Sequence, residues 1–383
     1  MGKTATLVSR WTTAADAPQT QLFMDSLSQL ALGAAVSVAV MGRRTAVWKA
    51  ALLGAVAGTL PDLDVFINHG DPIRNMVLHR AESHSLFWLT LFSLPFSAAV
   101  ARVVGEWVLF KRWWLALWLA LVTHPLLDAM TVYGTQLGLP FTNEPYGVGS
   151  VFIIDPLYTV PLLVGAVWAL STQGGGRGLK ANTVGLMLST AYLAWGVVVQ
   201  QIVTREAQTS LAASGITAER LLITPTAFNT LLWRVVVIDG DSYREGYYSL
   251  LDPLVRSTPP RITFDTYPRG NALAKATADV EGVQRLTAFT HGFYALRQDS
   301  SRLLISDLRM GQEPVYTFTF AVAERESNVL VPLVPTQQLG SRPDLDCALP
   351  WLGRRLKGED LPTLARFCQG SGHATGQIQR SSE

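Results

Sequence analysis

Charged residues are scarce in this chain of 383 residues: Asp, Glu, Lys and Arg together make up 16%, against roughly 25% in an average soluble domain. The net charge is only +2, so no excess of positive charge favours nucleic acid as a partner. The two cysteines, Cys347 and Cys368, are too few for a disulfide framework and form no Cys-x-x-Cys pair. They can form a single bridge if this region lies outside the cytoplasm.

Hydrophobic residues, by contrast, make up 49% of the chain, and eleven residues are Trp, which is enriched at membrane interfaces. Nearly all long apolar runs precede residue 204, and charges, prolines and short alternating runs dominate after it. This shift predicts a membrane-embedded helical domain at 24–204 and a soluble, strand-rich α+β domain at 205–383. Residues 1–23 are predicted to be a disordered tail.

The apolar runs predict an α-helical membrane bundle of about six hydrophobic helices. Two short runs, Leu27–Met41 and Ala46–Leu60, can be tilted, half-inserted or packed as a buried hairpin. Longer runs are Ser85–Leu109, Trp113–Val132, Val151–Leu170 and Asn182–Val203. Lys and Arg collect in alternate loops. The positive-inside rule then places the N-terminus and the domain after Arg205 on the outer side of a bacterial inner membrane.

Ionisable residues inside or beside these runs are costly in a membrane and usually functional. His124 and Asp128 are spaced i, i+4, which places both side chains on one helix face. Asp62, His79 and His84 lie at the ends of neighbouring runs, on the same predicted side. Imidazole nitrogen and carboxylate oxygen are the usual mixed ligands of divalent metals. We therefore expect these five residues to bind a divalent metal, with zinc as the first candidate and manganese as the alternative.

Five further polar residues have two interpretations each. Asp64 and Glu82 are candidates for the general base, although Asp64 can also cap a helix or face water. Glu82 can instead pair with Arg80 on the surface, and Arg80 can contact an anion. Asp155 and Asp25 stand where helix N-caps are expected, and the alternative is that they support the metal ligands or contact substrate.

The second domain shows strand patterns at 233–238, 261–264 and 315–321, and Asp239-Gly240 indicates a hairpin turn. A short helix is predicted near Pro362–Phe367. We expect this domain to lie over the outer mouth of the helical part and to shape substrate access. The alternative is a separate module without contact to the site.

Several motifs taken together resemble a known family. They are Met24-Asp-Ser-Leu-Ser-Gln-Leu-Ala-Leu-Gly33, Gly58-Thr-Leu-Pro-Asp-Leu-Asp64, His79-Arg-Ala-Glu-Ser-His-Ser85, His124-Pro-Leu-Leu-Asp128, Tyr133-Gly-Thr-Gln136 and Ile153-Ile-Asp-Pro-Leu-Tyr158. The chain resembles the YdjM-like family of bacterial inner-membrane proteins, whose founding member is controlled by LexA and whose members are assigned as metal-dependent hydrolases.

The resemblance also implies a distant similarity to zinc-dependent phospholipase C and P1-type nucleases, whose His-x-x-x-Asp helix pair matches His124 and Asp128. Many family members carry His where this chain has Gln29. Gln29 therefore either leaves the site one ligand short or serves as a hydrogen-bond partner of a ligand.

The expected function is hydrolysis of a phosphoester in a lipid or another amphipathic substrate at the outer membrane face, with membrane lipid as the partner. The alternatives are an ion-coupled or proton-coupled transporter, in which the buried polar groups carry the ion, and a non-catalytic membrane scaffold.

Overall fold

The computed structural model describes residues 17–152, 154–255, 261–326, 329–340 and 344–370, with side chains described between residues 27 and 369. Residues 1–16 of the predicted tail lie outside the described residues. The first part of the chain is helical, with α1 (Ala17–Met41), α2 (Val47–Thr59), α3 (Pro72–Leu78), α4 (Leu86–Val103), α5 (Phe110–Ala129), α6 (Pro156–Ser171) and α7 (Gly176–Ala213). Short 3-10 turns lie at Pro61–Phe66, Glu82–His84 and Trp107–Leu109.

The prediction of about six membrane-crossing helices is wrong. In the described part of the chain, two helices are long and apolar enough to cross a membrane: α4, with 18 residues, and α7, with 38. The apolar helices α2 and α6 are too short. The 13 residues of α2 rise only about 20 Å, against a hydrocarbon core of roughly 30 Å.

The overcount has a physical reason, because an apolar run does not report where a helix begins or ends. The run Val151–Leu170 was predicted to span, but α6 begins only at Pro156, with Asp155 as its N-cap, and has 16 residues. The fifth helix has 20 residues but carries Lys111, Arg112, His124 and Asp128, which lower its hydropathy.

Helices α1 and α2 are in backbone contact through glycine. A Cβ added to Gly33 would lie 2.2 Å from the carbonyl oxygen of Gly54, and one added to Gly58 would lie 2.6 Å from the oxygen of Gln29. Side chains larger than hydrogen therefore cannot occupy these positions without separating the helices. The close approach fixes the C-terminal end of α2, which leads into the 3-10 turn Pro61–Phe66.

The second part contains two four-stranded antiparallel sheets, as the strand-rich prediction requires. The first has the order β1 (Arg220–Pro225), β2 (Leu232–Asp239), β3 (Ser242–Ser249) and β4 (Asp265–Pro268). The second contains β5 (Tyr294–Asp299), β6 (Arg302–Asp307), β9 (Thr319–Glu326) and β10 (Val329–Leu339), in the order β10-β9-β6-β5. A small ribbon pairs β7 (Gly311–Gln312) with β8 (Val315–Tyr316).

Five short helices complete this part: α8 (Asp252–Val255), α9 (Asn271–Ala276), α10 (Glu281–Phe289), α11 (Leu345–Leu356) and α12 (Leu364–Gly370). A disulfide joins Cys347 of α11 to Cys368 of α12. The strand predicted at 233–238 lies within β2, and the predicted turn joins β2 to β3. The stretch 315–321 is divided between β8 and β9, while 261–264 precedes β4 without strand structure.

The two parts share buried surfaces. Helix α7 rises about 57 Å over its 38 residues, and Val203 and Ala207 near its end pack under β2 of the first sheet. On the other side, Ile73 and Met76 of α3 enter the core formed by α10 and the second sheet. The strand-rich part therefore contacts the segment that leads directly to His79.

Candidate metal centre

Four side chains predicted to be metal ligands converge in the helical part. The ligand atoms of Asp62, His84, His124 and Asp128 all lie within 4.8 Å of one another. His84 and His124 are fully buried, and Asp128 and Asp62 are nearly so. Asp62 lies in the 3-10 turn after α2, His84 ends the 3-10 turn before α4, and the other two occupy one face of α5. We call these four residues the metal cluster.

The distances within the metal cluster are short and similar. His84 Nε2 and His124 Nε2 are 3.1 Å apart. Asp62 Oδ1 lies 3.5 Å from the first of these nitrogens and 3.3 Å from the second. Asp128 Oδ2 lies 3.2 Å and 3.3 Å from the same two atoms. Two nitrogens and two oxygens thus surround one small volume.

Helix α2 fixes the tautomer of His124. The Nδ1 atom of His124 lies 2.6 Å from the carbonyl oxygen of Gly58 in this helix. Since a carbonyl oxygen only accepts hydrogen bonds, Nδ1 carries the hydrogen and donates it. In a neutral imidazole, Nε2 then presents its lone pair to the metal cluster.

The tautomer of His84 is fixed in the same way by a relay of two hydrogen bonds, from His84 to Ser83 and from Ser83 to Asp64. The Ser83 hydroxyl donates to Asp64 Oδ2 over 2.5 Å, so it accepts from His84 Nδ1, 2.9 Å away. Burial raises the pKa of Asp64, but its contacts with His79 and Ser83 lower that pKa by more. The pKa of Asp64 therefore lies below the ordinary value. Asp64 is therefore an ionised acceptor, and the lone pair of His84 Nε2 also faces the metal cluster.

This arrangement fits a divalent cation. Two imidazole lone pairs and two carboxylate oxygens converge, and Asp128 Oδ2 is buried without a hydrogen-bond donor. Burial raises the pKa of Asp62, but the adjacent His124 and His84 lower it more, so its pKa lies well below the ordinary value and the group is a carboxylate. A cation satisfies all four lone pairs at once, which no single protein donor in this geometry can do.

The second oxygen of Asp128 is engaged elsewhere. Its Oδ1 accepts a hydrogen bond of 2.9 Å from Gln29 Nε2 and lies 3.3 Å from the guanidinium of Arg80. Arg80 is itself buried and stands 5.0 Å from the ring centre of Tyr133. These contacts hold the carboxylate so that Oδ2 faces the metal cluster.

His79 does not join the metal cluster. Its Nδ1 lies 2.8 Å from Asp64 Oδ1, and its side chain is 24% exposed. Asp64 also accepts from the backbone N–H of Arg80 at 3.0 Å, so both of its oxygens have partners. The physical reason is that residues 79–85 form no continuous helix, and Arg80 adopts φ +64. His79 Nδ1 therefore meets Asp64, whereas His84 Nε2 faces the metal cluster.

Glu82, Asp155 and Asp25 are not among the four residues of the metal cluster. Glu82 is exposed at the start of its 3-10 turn. Asp155 caps α6 by accepting from Leu157 N at 2.9 Å, and it accepts from the Tyr192 hydroxyl at 2.8 Å. Burial raises the pKa of Asp155. The side chain of Asp25 lies outside the described residues.

Sequence reasoning missed the residues that orient the two imidazoles. Gly58 supplies the carbonyl that holds His124, and Ser83 connects His84 to Asp64. The Gly54-x-x-x-Gly58 spacing, typical of close helix contacts, was the available signal for the first. No pattern in the sequence indicated the second.

Comparison with known proteins tests the family resemblance that the motifs predict. Residues 24–203 match the family model described as YdjM inner membrane protein. The resemblance predicted from the motifs is confirmed over this region, which contains all four residues of the metal cluster. The family description also supports a location in the bacterial inner membrane.

One curated relative shares part of the sequence. It is "Uncharacterized protein YfhP" of Bacillus subtilis (strain 168), 27% identical over 235 residues, which cover 58% of this chain and 67% of the relative. No solved structure matches. The hydrolase activity and the similarity to phospholipase C and P1-type nucleases are tested by none of these findings and stay predictions.

Proposed function

We propose that this chain is a membrane-bound, divalent-metal-dependent hydrolase that acts on a phosphoester of a lipid or another amphipathic substrate. The observation that carries the proposal is the metal cluster, in which four buried ligand atoms lie within 4.8 Å of one another. Buried charges and unpaired lone pairs of this kind destabilise a fold unless a partner such as a bound cation compensates them, and within membrane proteins they usually have a function.

Zinc is the metal we propose, because two imidazoles and two carboxylates are ligands that zinc accepts in a four-coordinate site. Manganese is the alternative, since carboxylate oxygens also suit it. A divalent cation in such a site supplies Lewis acidity, which activates water and polarises a phosphoryl group.

The chain's own residues divide the remaining work. Asp64 uses both oxygens to hold His79, Arg80 and Ser83, so we assign it a positioning role instead of proton transfer. Of the two predicted general bases, Glu82 is the one whose carboxylate is exposed. We propose that Glu82 accepts the proton of the attacking water.

The position of the metal cluster supports an amphipathic substrate. His84 lies two residues before α4, one of the two helices long and apolar enough to cross a membrane in the described part of the chain. In this proposal α4 crosses the membrane, and its first turn, next to His84, lies where headgroups meet water. A phosphoester at this depth belongs to a lipid or to a molecule attached to one.

We further propose that the strand-rich part lies on the outer side of the membrane. The disulfide between Cys347 and Cys368 supports this orientation, because structural disulfides persist in the periplasm and are rare in the cytoplasm. The substrate is then reached from the outer leaflet.

The test is hydrolysis of phospholipid by purified protein supplied with zinc or manganese, with Glu82→Gln and His124→Ala beside the wild type. We expect phosphoester cleavage by the wild type, a loss of at least about 100-fold in Glu82→Gln with metal retained, and no cleavage by His124→Ala. Metal-loaded wild type that cleaves none of a broad phosphoester panel contradicts the proposal. Metal-dependent ion flux into liposomes by the same protein would replace it with the transporter alternative.

A further inference from the structure

Large apolar side chains stand exposed on both flanks of the segment that carries His84. One flank belongs to the 3-10 turn after α2 and the residue that follows it. The other belongs to the loop after α5 and the first turn of α4. We define the apolar rim as Leu63 (54% exposed), Phe66 (81%), Ile67 (57%), Phe87 (43%) and Phe141 (79%).

The apolar rim is fixed to the metal cluster by short connections. Leu63 directly follows the ligand Asp62 in sequence. On the other flank, the Ser85 hydroxyl donates to Leu139 O over 2.5 Å, and Leu86 N donates to Leu137 O over 3.1 Å. The loop that carries Phe141 is therefore held at the start of α4, one residue after His84.

Phe141 continues the apolar surface of α4. Its ring contacts the ring of Phe87 edge-on, with centroids 5.4 Å apart. Trp88 and Leu91 extend the exposed apolar face along the helix. Since α4 is a candidate membrane-crossing helix, the apolar rim continues a face already suited to lipid.

The charge pattern limits how deep the apolar rim can lie. Glu82 is exposed on the segment between the two flanks, and an ionised carboxylate is costly in the hydrocarbon core. Apolar and aromatic side chains beside a charged one are typical of the interfacial layer, where headgroups and the first methylenes of the acyl chains meet.

We propose that the apolar rim inserts into the interfacial layer of the lipid bilayer and holds the metal cluster level with the phospholipid phosphates. The occupant of this surface is membrane lipid. The proposal rests on the membrane location of the chain and not on hydrolysis, although it also names the route by which a lipid phosphoester reaches the proposed site.

Site-directed spin labelling tests this directly, because the two cysteines of the chain are joined to each other and leave an introduced cysteine as the one free thiol. Nitroxides are attached at Phe66→Cys and Phe141→Cys in vesicles of phosphatidylethanolamine and phosphatidylglycerol. Met187→Cys on α7, 66% exposed, is the lipid reference. Ala272→Cys on α9, also exposed, is the aqueous reference.

The readout is the ratio of collisions with oxygen to collisions with a water-soluble nickel chelate. We expect the ratio at both rim positions to exceed that at Ala272→Cys several-fold and to approach that at Met187→Cys. Ratios equal to the aqueous reference overturn the proposal. Dipolar broadening between labels on two copies also overturns it, since it assigns the apolar rim to a dimer interface. An inactive or metal-free protein with a lipid-like ratio leaves this proposal intact and rejects only the hydrolase.

Discussion

His84 and His124 face each other with their Nε2 atoms 3.1 Å apart, and each is fixed by a hydrogen bond at its other nitrogen. Gly58 dictates the orientation of one ring, and the Ser83–Asp64 pair dictates that of the other. If both imidazoles are neutral, their lone pairs meet in this arrangement, which is unfavourable until a shared proton or a metal ion lies between them. The chemistry of the site follows from these two outer hydrogen bonds as much as from the ligands.

Replacing Ser83 by alanine is expected to weaken metal binding by about 10- to 100-fold without abolishing it. His84 then keeps its place but loses the acceptor that fixes its tautomer. Chelator competition on the purified protein measures the affinity. Ser97→Ala is the matched control, because this buried serine of α4 has no hydrogen-bond partner in the described structure. Equal affinities in the two variants would show that the relay has no role.

Gln29 makes a separate contribution through Asp128. In Gln29→Leu, Asp128 Oδ1 loses its 2.9 Å donor, and we expect metal affinity to fall by about 10-fold. Asn182→Leu is the control, because that buried amide donates to Ala35 O, away from the metal cluster. It is expected to lower stability and leave affinity unchanged. A loss of affinity shared by both variants would indicate general loosening of the helices instead.

The sequence predicted the metal cluster better than the fold around it. His124 and Asp128 follow from helical spacing alone, because the period of an α-helix places i and i+4 on one face. His79 and His84 do not, since spacing has no meaning across a segment in which Arg80 adopts φ +64. Asp64 holds this segment through His79, Arg80 and Ser83, and these contacts leave His84 facing the metal cluster and His79 outside it.

The membrane helices were overcounted for a related reason. Hydropathy reports apolar composition, whereas a crossing helix also needs an uninterrupted length. Asp155 and Pro156, which begin α6 late and leave it too short, were visible in the sequence as helix-start residues. The strand-rich part was predictable in class from its β-branched runs, but the docking of α3 on the second sheet depends on tertiary packing that no local pattern encodes.

Asp71 links the two parts of the molecule. Its Oδ1 caps α3 by accepting from Ile73 N and Arg74 N, and its Oδ2 accepts from Thr336 N and Oγ1 of β10 at 2.7 Å and 2.8 Å. Asp71→Ala is expected to lower the free energy of unfolding by about 1–2 kcal/mol, the usual cost of a lost cap. Thermal unfolding measures it, with Arg74→Ala as control. That residue forms an exposed ion pair with Glu281, and its loss is expected to cost less than about 1 kcal/mol.

The same carboxylate gives a pH dependence of defined sign. Burial raises the pKa of Asp71, but the hydrogen bonds from Thr336 and from the first turn of α3 lower it more, so its pKa in the folded protein lies below the ordinary value. A depressed pKa stabilises the fold above the unfolded value of about 3.9 and loses this effect as the pH falls through the folded pKa. The stability gap between wild type and Asp71→Ala should therefore narrow on acidification. A gap that widens would contradict this assignment.

The disulfide provides a test of orientation in cells. Cys347 and Cys368 are both buried between α11 and α12. Cells are quenched with acid, and the protein is denatured and treated with a thiol-alkylating reagent. We expect neither cysteine to be modified unless a reductant is added first. The control is Ala51→Cys in α2 of the helical part, which supplies a free thiol for the same reagent. Full alkylation of both native cysteines without reductant would place the strand-rich part in the cytoplasm.

Elemental analysis of the detergent-purified protein tests the central claim most directly. The wild type is compared with His124→Ala, Asp128→Ala and His79→Ala, each confirmed as folded by circular dichroism. The account predicts about one zinc or manganese ion per chain in the wild type and in His79→Ala, since His79 lies outside the metal cluster. It predicts loss of the ion in the other two variants. Wild-type protein that stays folded and takes up no metal, even after reconstitution, would contradict the account.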